Sequence, residues 1–175
     1  MMKNVTLIMF TGLPGSGKTT LAQRVAKSLC IPLFSKDFLQ STLRRMKLAD
    51  RNTVHGYHLL LDLADEQLKI GVSVVLDAVF PLEEFRMAAR NIADQNKAKF
   101  CVVHCYCSND KTWQERMSGR HRYVPNWTPV DWAEVERLRQ VYQLWNSQEA
   151  LFVDALDNLD KNLSLTLQWI QEVSA

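Results

Sequence analysis

The sequence lacks long apolar runs, has few cysteines and carries almost no excess charge. In its 175 residues no stretch approaches the roughly 18 uninterrupted apolar residues of a membrane span. The start, Met1 to Phe10, has no secretory layout with a small-residue cleavage site. The 21 Lys and Arg residues against 19 Asp and Glu leave a net charge of +2, too little by itself to indicate nucleic acid binding. We therefore expect a cytoplasmic protein that does not contact membranes.

Only four cysteines are present, and three of them lie in the apolar run Phe100 to Cys107. In a strand, alternate side chains point to opposite faces, so Cys101, Cys105 and Cys107 share one face while His104 lies on the other. That separation disfavours a Cys/His metal cluster. We interpret these cysteines as buried thiols, because free cysteine behaves as a small hydrophobe.

A short apolar run followed by a helical pattern recurs five times. The runs are mostly continuous, which is typical of parallel strands covered on both faces; they are Val5–Phe10, Ile31–Phe34, Val72–Leu76, Phe100–Cys107 and Leu151–Val153. The predicted helices are Thr19–Leu29, Val54–Ile70, Leu82–Gln95, Pro129–Trp145 and Leu159–Val173. This alternation predicts an α/β fold with a parallel sheet and right-handed crossovers. The length and average composition favour one domain covering residues 1–175.

Helix boundaries are predicted from capping residues. Gly71 stands where a glycine commonly ends a helix, just before the third strand. Thr128 is the expected N-cap of the fourth long helix, with Pro129 at its first position and Asp131 at its third.

A glycine-rich segment directly follows the first strand. Gly12-Leu13-Pro14-Gly15-Ser16-Gly17-Lys18-Thr19-Thr20 fits the pattern G-x-x-x-x-G-K-[ST]. Glycines let successive backbone N–H groups point inward, and the positive end of the following helix faces the same point. Lys18 adds a cation for the β- and γ-phosphates, and the Thr19 hydroxyl is a ligand for Mg²⁺. The whole run, Gly12 to Thr20, is therefore the predicted nucleotide-phosphate site.

Two aspartates follow predicted strands. Asp77 closes the third strand and is the expected second protein ligand of Mg²⁺, directly or through water. Asp37 follows the second strand and is the candidate general base that accepts the proton of a hydroxyl acceptor. The alternative roles are local: Asp77 as the cap of a turn, and Asp37 as the N-cap of a helix beginning near Phe38.

A basic segment follows the fourth strand, and we expect residues 109–127 to form a lid. Arg116 and Arg120 have i, i+4 spacing, so on a helix both guanidinium groups lie on one face. Such donors stabilise charge on a transferring phosphoryl group; a solvated basic helix end is the alternative. Trp127 and Trp132 offer a stacking surface, although helix packing is the favoured interpretation.

At these residues the chain resembles the P-loop small-kinase group, which includes polynucleotide 5′-kinase domains, chloramphenicol phosphotransferase-like enzymes and AAA-type predicted kinases. The resemblance rests on the loop Gly12 to Thr20, on Asp37, on Val75-Leu76-Asp77-Ala78 and on Arg116-x-x-x-Arg120. It implies a P-loop NTPase three-layer fold with a five-stranded parallel sheet in the order 2-3-1-4-5, helices on both faces and a lid. It also implies ATP as donor, a hydroxyl as acceptor, Asp37 as base and lid arginines on the phosphates.

Two departures from that group bear on the acceptor. Polynucleotide kinases carry D-x-x-R at the base, whereas Gln40 stands here three residues after Asp37, and whether Arg44 or Arg45 replaces the arginine stays open. Val79 occupies a position at which many relatives carry threonine, which points to a less polar pocket.

The sequence thus favours an ATP- and Mg²⁺-dependent kinase acting on a small-molecule hydroxyl, ahead of a polynucleotide 5′-hydroxyl kinase. A nucleoside monophosphate kinase and a non-catalytic ATP-binding regulatory module remain alternatives. The acceptor's identity, ATP against GTP, the adenine contacts and the oligomeric state stay open.

Overall fold

The fold is an open parallel sheet with helices on both of its faces. A computed structural model describes residues 4–49, 54–119 and 130–175. In chain order the elements are β1 (Thr6–Thr11), α1 (Lys18–Leu29), β2 (Leu33–Ser35), α2 (Lys36–Arg45), α3 (His55–Lys69), β3 (Val74–Asp77), α4 (Glu83–Gln95), β4 (Lys99–Tyr106), α5 (Asp110–Ser118), α6 (Trp132–Val141), β5 (Ala150–Asp154) and α7 (Leu159–Val173). The strand order is β2-β3-β1-β4-β5 with every pair parallel, which confirms the predicted α/β fold and its 2-3-1-4-5 order.

The sheet divides the core into two apolar layers. Leu7 and Met9 of β1 pack with α3 and α4, whereas Ile8 and Phe10 pack with α1 and α7. All four side chains are fully buried, and each such burial stabilises the fold by about 1.5–3 kcal/mol. The continuous apolar run of β1 therefore reflects a strand covered on both faces.

The end of α3 explains why β3 begins later than predicted. The N–H of Gly71 donates to the carbonyl of Leu68, and the N–H of Val72 donates to that of Gln67. With Gly71 at φ 78° this is the two-bond helix ending that favours glycine, so its predicted capping role is confirmed. Because Val72 is used in this ending, the strand starts only at Val74.

Two helix starts differ from the prediction. The carboxylate of Asp131 accepts from the N–H of Glu134 at 2.9 Å, so Asp131 is the N-cap of α6 rather than its third residue. The predicted cap Thr128 and Pro129 lie outside the described residues, and α6 ends at Val141 because Tyr142 is extended. Helix α2 begins at Lys36, which puts Asp37 in its first turn and not at its N-cap.

The three cysteines of the fourth run are buried, as predicted. Cys101 and Cys105 lie in the layer beneath α1 and α7, and burial raises the pKa of each thiol to about 12. His104 lies on the opposite face of β4, against Tyr142. Over the ranges given above, no helix is both long and apolar enough to span a bilayer.

Candidate nucleotide and phosphoryl-transfer site

The carboxyl ends of three neighbouring strands gather the predicted site. The parallel register sets Ser35 of β2 opposite Asp77 of β3, and Asp77 opposite Phe10 of β1. The phosphate loop follows β1 and Asp37 follows Ser35. Because all strands run the same way, these segments leave the sheet at one edge, where open α/β sheets place their binding crevices.

The phosphate loop requires glycine at its first position. Gly12 has φ 135°, and a Cβ there would lie 2.1 Å from the carbonyl oxygen of Cys105 on β4. Gly17, at φ 78°, caps α1, and a Cβ on it would approach Ala155 after β5 to 3.1 Å. The loop is therefore pressed against the ends of two other strands, and only glycine leaves room for this path.

Polar groups inside the loop fit a phosphate chain. Lys18 is 4% exposed and its ammonium donates to the carbonyl of Leu13 at a long 3.4 Å. The Ser16 hydroxyl is buried and has no hydrogen-bond partner among the described residues. No acidic residue occupies the first turn of α1, so its positive end keeps its attraction for anions. An orphaned hydroxyl, a buried cation and an uncompensated helix end together match phosphate oxygens.

The charges of Asp77 and Lys18 both affect the pKa of the Cys105 thiol. Burial dominates the raised pKa of Cys105, the Lys18 charge lowers that pKa and the Asp77 charge raises it. Both charges therefore influence the same buried thiol. Asp77 is 2% exposed, and Thr19 lies one residue beyond Lys18 in the first turn of α1. A carboxylate and a hydroxyl are oxygen donors of the kind that Mg²⁺ prefers, so this donor set fits the ion.

Asp37 lies on the far side of Asp77 from the loop, in the first turn of α2. The half-buried Lys36 precedes it, with its ammonium 5.4 Å from the centre of the Tyr57 ring. Burial lowers the pKa of Lys36, an effect partly offset by the Asp37 charge. The Asp37 charge also acts on Tyr57, which is buried behind it in α3.

Gln40, which stands where the resemblance would place an arginine, has a structural contact. Its side-chain oxygen accepts from the backbone N–H of Gly56 at 3.1 Å, in the first turn of α3. A Cβ on Gly56 would lie only 2.8 Å from that oxygen. Gln40 thus satisfies a donor at the start of α3 and ties α2 to α3.

Helix α5 rests on the crest of the phosphate loop. The indole N–H of Trp113 donates to the carbonyl of Pro14 at 2.9 Å, and a Cβ on Gly15 would lie 2.4 Å from the sulfur of Met117. Trp132 meets Trp113 edge to face, so the packing interpretation of Trp132 is confirmed. Trp127 lies outside the described residues.

Arg116 lies beside a cavity of about 180 Å³ at the end of the loop. Its guanidinium donates to the carbonyl of Ala155 at 2.8 Å. The cavity continues from Ser16, Gly17 and Thr20 to the connection between β5 and α7, where Asp157 and Asn162 line it. Arg120, predicted to act with Arg116, is outside the described residues.

The connection between β3 and α4 carries a feature that the sequence did not reveal. Phe80 is fully buried at φ 49°, a conformation that is strained for a bulky side chain. Its N–H donates to the Tyr57 hydroxyl at 3.1 Å, and its carbonyl accepts from Nε of Arg86 at 2.8 Å. The Thr11 hydroxyl donates to the neighbouring carbonyl of Val79 at 2.8 Å. Side chains from three elements therefore hold this connection directly after Asp77.

A partly buried hydrogen-bond network joins the end of α6 to the start of the loop. The Tyr142 hydroxyl lies 2.6 Å from that of Thr11 and 3.1 Å from Nδ1 of His104. Arg86 packs its guanidinium against the rings of Tyr142 and Trp145. One sequence signal was available for Arg86: it occupies the buried face of α4 with Ala89 and Ala93, where a charge is exceptional.

Comparison with known proteins agrees with this architecture. A family model described as an AAA domain matches residues 7–145. The structure of Chaetomium thermophilum Kti12 in complex with ADP-AlF3 is 20% identical, has a TM-score of 0.76 and covers 97% of this chain and 99% of that one. A gluconokinase from Sinorhizobium meliloti 1021 is 18% identical with a TM-score of 0.69, covering 97% and 93%. The APS kinase of Mycobacterium tuberculosis in complex with AMPPNP and APS is 18% identical with a TM-score of 0.69, covering 96% and 98%. No curated protein matches the sequence.

Proposed function

Because the chain belongs to the AAA domain family, and its fold is that of P-loop kinases, we propose that it is an ATP- and Mg²⁺-dependent kinase that phosphorylates a hydroxyl group on a small molecule. The observation that carries the proposal is the register of β1, β3 and β2. It brings the phosphate loop, Asp77 and Asp37 to one edge of the sheet, in that order. A phosphate site, a cation-binding carboxylate and a further carboxylate are the parts that phosphoryl transfer to an alcohol needs.

The loop from Gly12 to Thr20 binds the phosphates. Its inward N–H groups, the end of α1 and the Ser16 hydroxyl supply donors at fixed positions. In this proposal the Lys18 ammonium, whose contact with the Leu13 carbonyl is a long 3.4 Å, binds the phosphate oxygens. Thr19 and Asp77 would hold Mg²⁺, which would neutralise charge on the bound phosphates.

Asp37 accepts the proton of the acceptor hydroxyl. As the acceptor oxygen bonds to the γ-phosphorus, the bond from that phosphorus to the β–γ bridging oxygen breaks and ADP leaves. The carboxylate also orients the hydroxyl, and such a base contributes roughly 10²–10⁴-fold to the rate. Its position at the start of α2, with Lys36 beside it, supports this role.

Arg116 and Arg120 complete the donor side. Arg116 borders the cavity that continues from the loop, which suits the nucleoside part of ATP. Arg120, which lies outside the described residues, stays the predicted second guanidinium for the phosphates.

The contact of Gln40 favours a small acceptor over a polynucleotide end. At the position where the resembling polynucleotide kinases carry an arginine, this chain has Gln40, whose side-chain oxygen accepts a hydrogen bond from the Gly56 N–H. The acceptor therefore receives no guanidinium from this position.

The test compares two aspartates in an ATP-to-ADP assay. The substrates are neutral alcohols, sugars, nucleosides, 5′-hydroxyl oligonucleotides and small hydroxyl compounds that carry a carboxylate or a phosphate. Asp37→Asn is expected to keep nucleotide affinity while transfer falls about 10²-fold or more. The control is Asp62→Asn, because Asp62 is exposed on α3. Unchanged phosphoryl transfer in Asp37→Asn would show that Asp37 is not the general base. ATP turnover that no acceptor stimulates would indicate a nucleotide-binding module instead of a kinase.

A further inference from the structure

Arg86 is a buried cation whose hydrogen-bonding capacity is only partly used. Its side chain is 6% exposed, Nε donates to the Phe80 carbonyl at 2.8 Å, and Nη2 has no hydrogen-bond partner among the described residues. Buried donors are nearly always satisfied by protein, ordered water or a ligand, so an unused guanidinium nitrogen indicates a missing acceptor atom.

Among the described residues no carboxylate forms an ion pair with Arg86. Glu83 is the acidic side chain whose charge acts on it, and this residue is exposed in the first turn of α4 without forming an ion pair with Arg86. The other close groups are the aromatic rings of Tyr142 and Trp145, with centres 4.8 and 4.6 Å from the guanidinium carbon. Aromatic faces offset only part of the cost of burying a charge, whereas an anion would offset far more.

The charge of Arg86 also affects a neighbouring histidine. Burial, with a smaller contribution from the Arg86 charge, lowers the pKa of His104 to about 4. His104 is therefore uncharged at neutral pH and does not compete with Arg86 for an anion. Burial likewise lowers the pKa of Arg86 itself.

The position of Arg86 relates it to the transfer site. It holds the carbonyl of Phe80, three residues after Asp77, and it stacks on Tyr142, whose hydroxyl contacts Thr11 immediately before Gly12. The rings that cover it come from residues 142–149, where no helix or strand must be broken for the cover to move.

We propose that Arg86 binds an anionic oxygen of the acceptor, so that the phosphate acceptor of this kinase is a small hydroxyl compound that also bears a carboxylate or a phosphate. This inference rests on the proposed function and specifies its substrate class. A bidentate guanidinium is suited to both anions, and the aromatic cover keeps water away from the contact.

The first measurement separates this site from the phosphate loop. The protein is saturated with AMPPNP and Mg²⁺, so that the loop is filled, and is then titrated with inorganic phosphate by calorimetry at constant ionic strength. We expect one further phosphate to bind, with at least tenfold weaker affinity in Arg86→Met and unchanged AMPPNP affinity. Arg90→Met is the matched control: Arg90 lies one turn along α4, over the Phe100 ring and near Glu149, and its loss should leave phosphate binding intact.

The second measurement asks whether the anion belongs to the acceptor. Glycerol is compared with glycerol 3-phosphate, and glucose with gluconate, as acceptors in the transfer assay. The anionic member of a pair should be preferred in the native protein, and Arg86→Lys should reduce that preference at least tenfold, because a lysine keeps the charge but not the planar fork. If Arg86→Met fails to fold, Arg86→Lys replaces it in the phosphate-binding measurement.

Three results would overturn the inference. They are absence of a second phosphate on the AMPPNP-loaded protein, equal phosphate binding in the native and Arg86 variants, and preference for the neutral member of each acceptor pair. The last result with phosphate still bound would identify a site for free phosphate. Failure of the native protein to bind AMPPNP would contradict the proposed function instead, so the two failures are distinguishable.

Discussion

The indole N–H of Trp113 donates to the carbonyl oxygen of Pro14 at 2.9 Å, which joins α5 to the crest of the phosphate loop. The two residues are 99 positions apart in the chain, and the contact is buried. Any rearrangement of the loop around phosphates therefore changes the surroundings of this indole directly.

Nucleotide binding should be visible in the fluorescence of Trp113. We expect Trp113→Phe to lose most of the fluorescence change that ATP and Mg²⁺ produce in the native protein, because the reporting ring has gone. The control is Trp169→Phe, since Trp169 also donates to a carbonyl, that of Val102 at 3.2 Å, but does so on α7 away from the loop. An equal loss of signal in both variants would contradict the contact's proximity to the nucleotide.

Gly12 and Gly71 offer a matched test of the path of the loop. Both have positive φ, but a Cβ on Gly12 would lie 2.1 Å from a backbone oxygen, whereas nothing lies within 4 Å of a Cβ on Gly71. Gly71→Ala should cost about 1 kcal/mol for the left-handed conformation alone. Gly12→Ala should cost about 3 kcal/mol or more, or prevent folding, because backbone must move. Denaturant unfolding measures both, and similar losses would show that the clash is easily relieved.

Lys18 should be needed for both binding and transfer. Lys18→Met removes the cation that meets the β- and γ-phosphates, so we expect ATP affinity and transfer each to fall by at least tenfold. Lys27→Met, at an exposed position in the last turn of α1, is the control. Calorimetry with ATP and Mg²⁺ measures the affinity, and native affinity in Lys18→Met would remove this lysine from the site.

Gln40 should contribute to stability through α3. Gln40→Ala leaves the buried N–H of Gly56 without its acceptor, which should cost about 1–3 kcal/mol in the free energy of unfolding. Gln171→Ala, at an exposed position of α7, should cost little. A neutral result for Gln40→Ala would mean that water replaces the side chain without loss.

His104 should make the protein less stable in mild acid. Burial, with Arg86 nearby, lowers its folded pKa to about 4 from 6.5, so the unfolded chain binds the proton more readily between these values. The stabilisation is complete above pH 6.5 and is lost as the pH falls towards 4, by roughly 2 kcal/mol between pH 7 and 5. The facing groups are Tyr142, Arg86, Tyr106 and Phe152.

The measurement is denaturant unfolding at pH 7 and pH 5. His104→Asn should show a smaller loss of stability between the two pH values than the native protein. His58→Asn, at an exposed position of α3, serves as the control. The same loss in native protein and His104→Asn would exclude this histidine as the cause.

The sequence correctly predicted those structural features that depend on residues close together in the chain. Strand β1 can be recognised from sequence because all its side chains are apolar or small. The capping role of Gly71 can be recognised because a glycine there follows a helical pattern. The loop Gly12 to Thr20 can be recognised because each of its residue types suits a phosphate site. The strand order was implied by the family resemblance, which rested on that loop together with Asp37, Val75–Ala78 and Arg116-x-x-x-Arg120. The end of β3 was placed within one residue, although its start was misplaced because a helix ending uses Val72.

The boundaries of α6 show where local signals compete. The sequence placed the N-cap at Thr128 and Asp131 inside the helix, whereas the hydrogen bond from the Glu134 N–H shows that Asp131 is the cap. At the other end the apolar pattern runs on to Trp145, but Tyr142 leaves the helix and meets Thr11 and His104. The spacing of apolar residues indicates which side chains are buried. It does not indicate which contacts bury them.

What the sequence determined by itself is therefore the chemistry that fits into a short segment: the turn after β1, its lysine and threonine, and the helix that follows. Only the tertiary structure decided that Gln40 accepts from Gly56, that Trp113 donates to Pro14, and that Arg86 packs against two rings with one nitrogen unpaired among the described residues. The physical reason is the separation along the chain of the residues that interact. Backbone conformation and capping depend on the nearest few residues, whereas burying a charge or satisfying a distant carbonyl depends on which elements the sheet brings together.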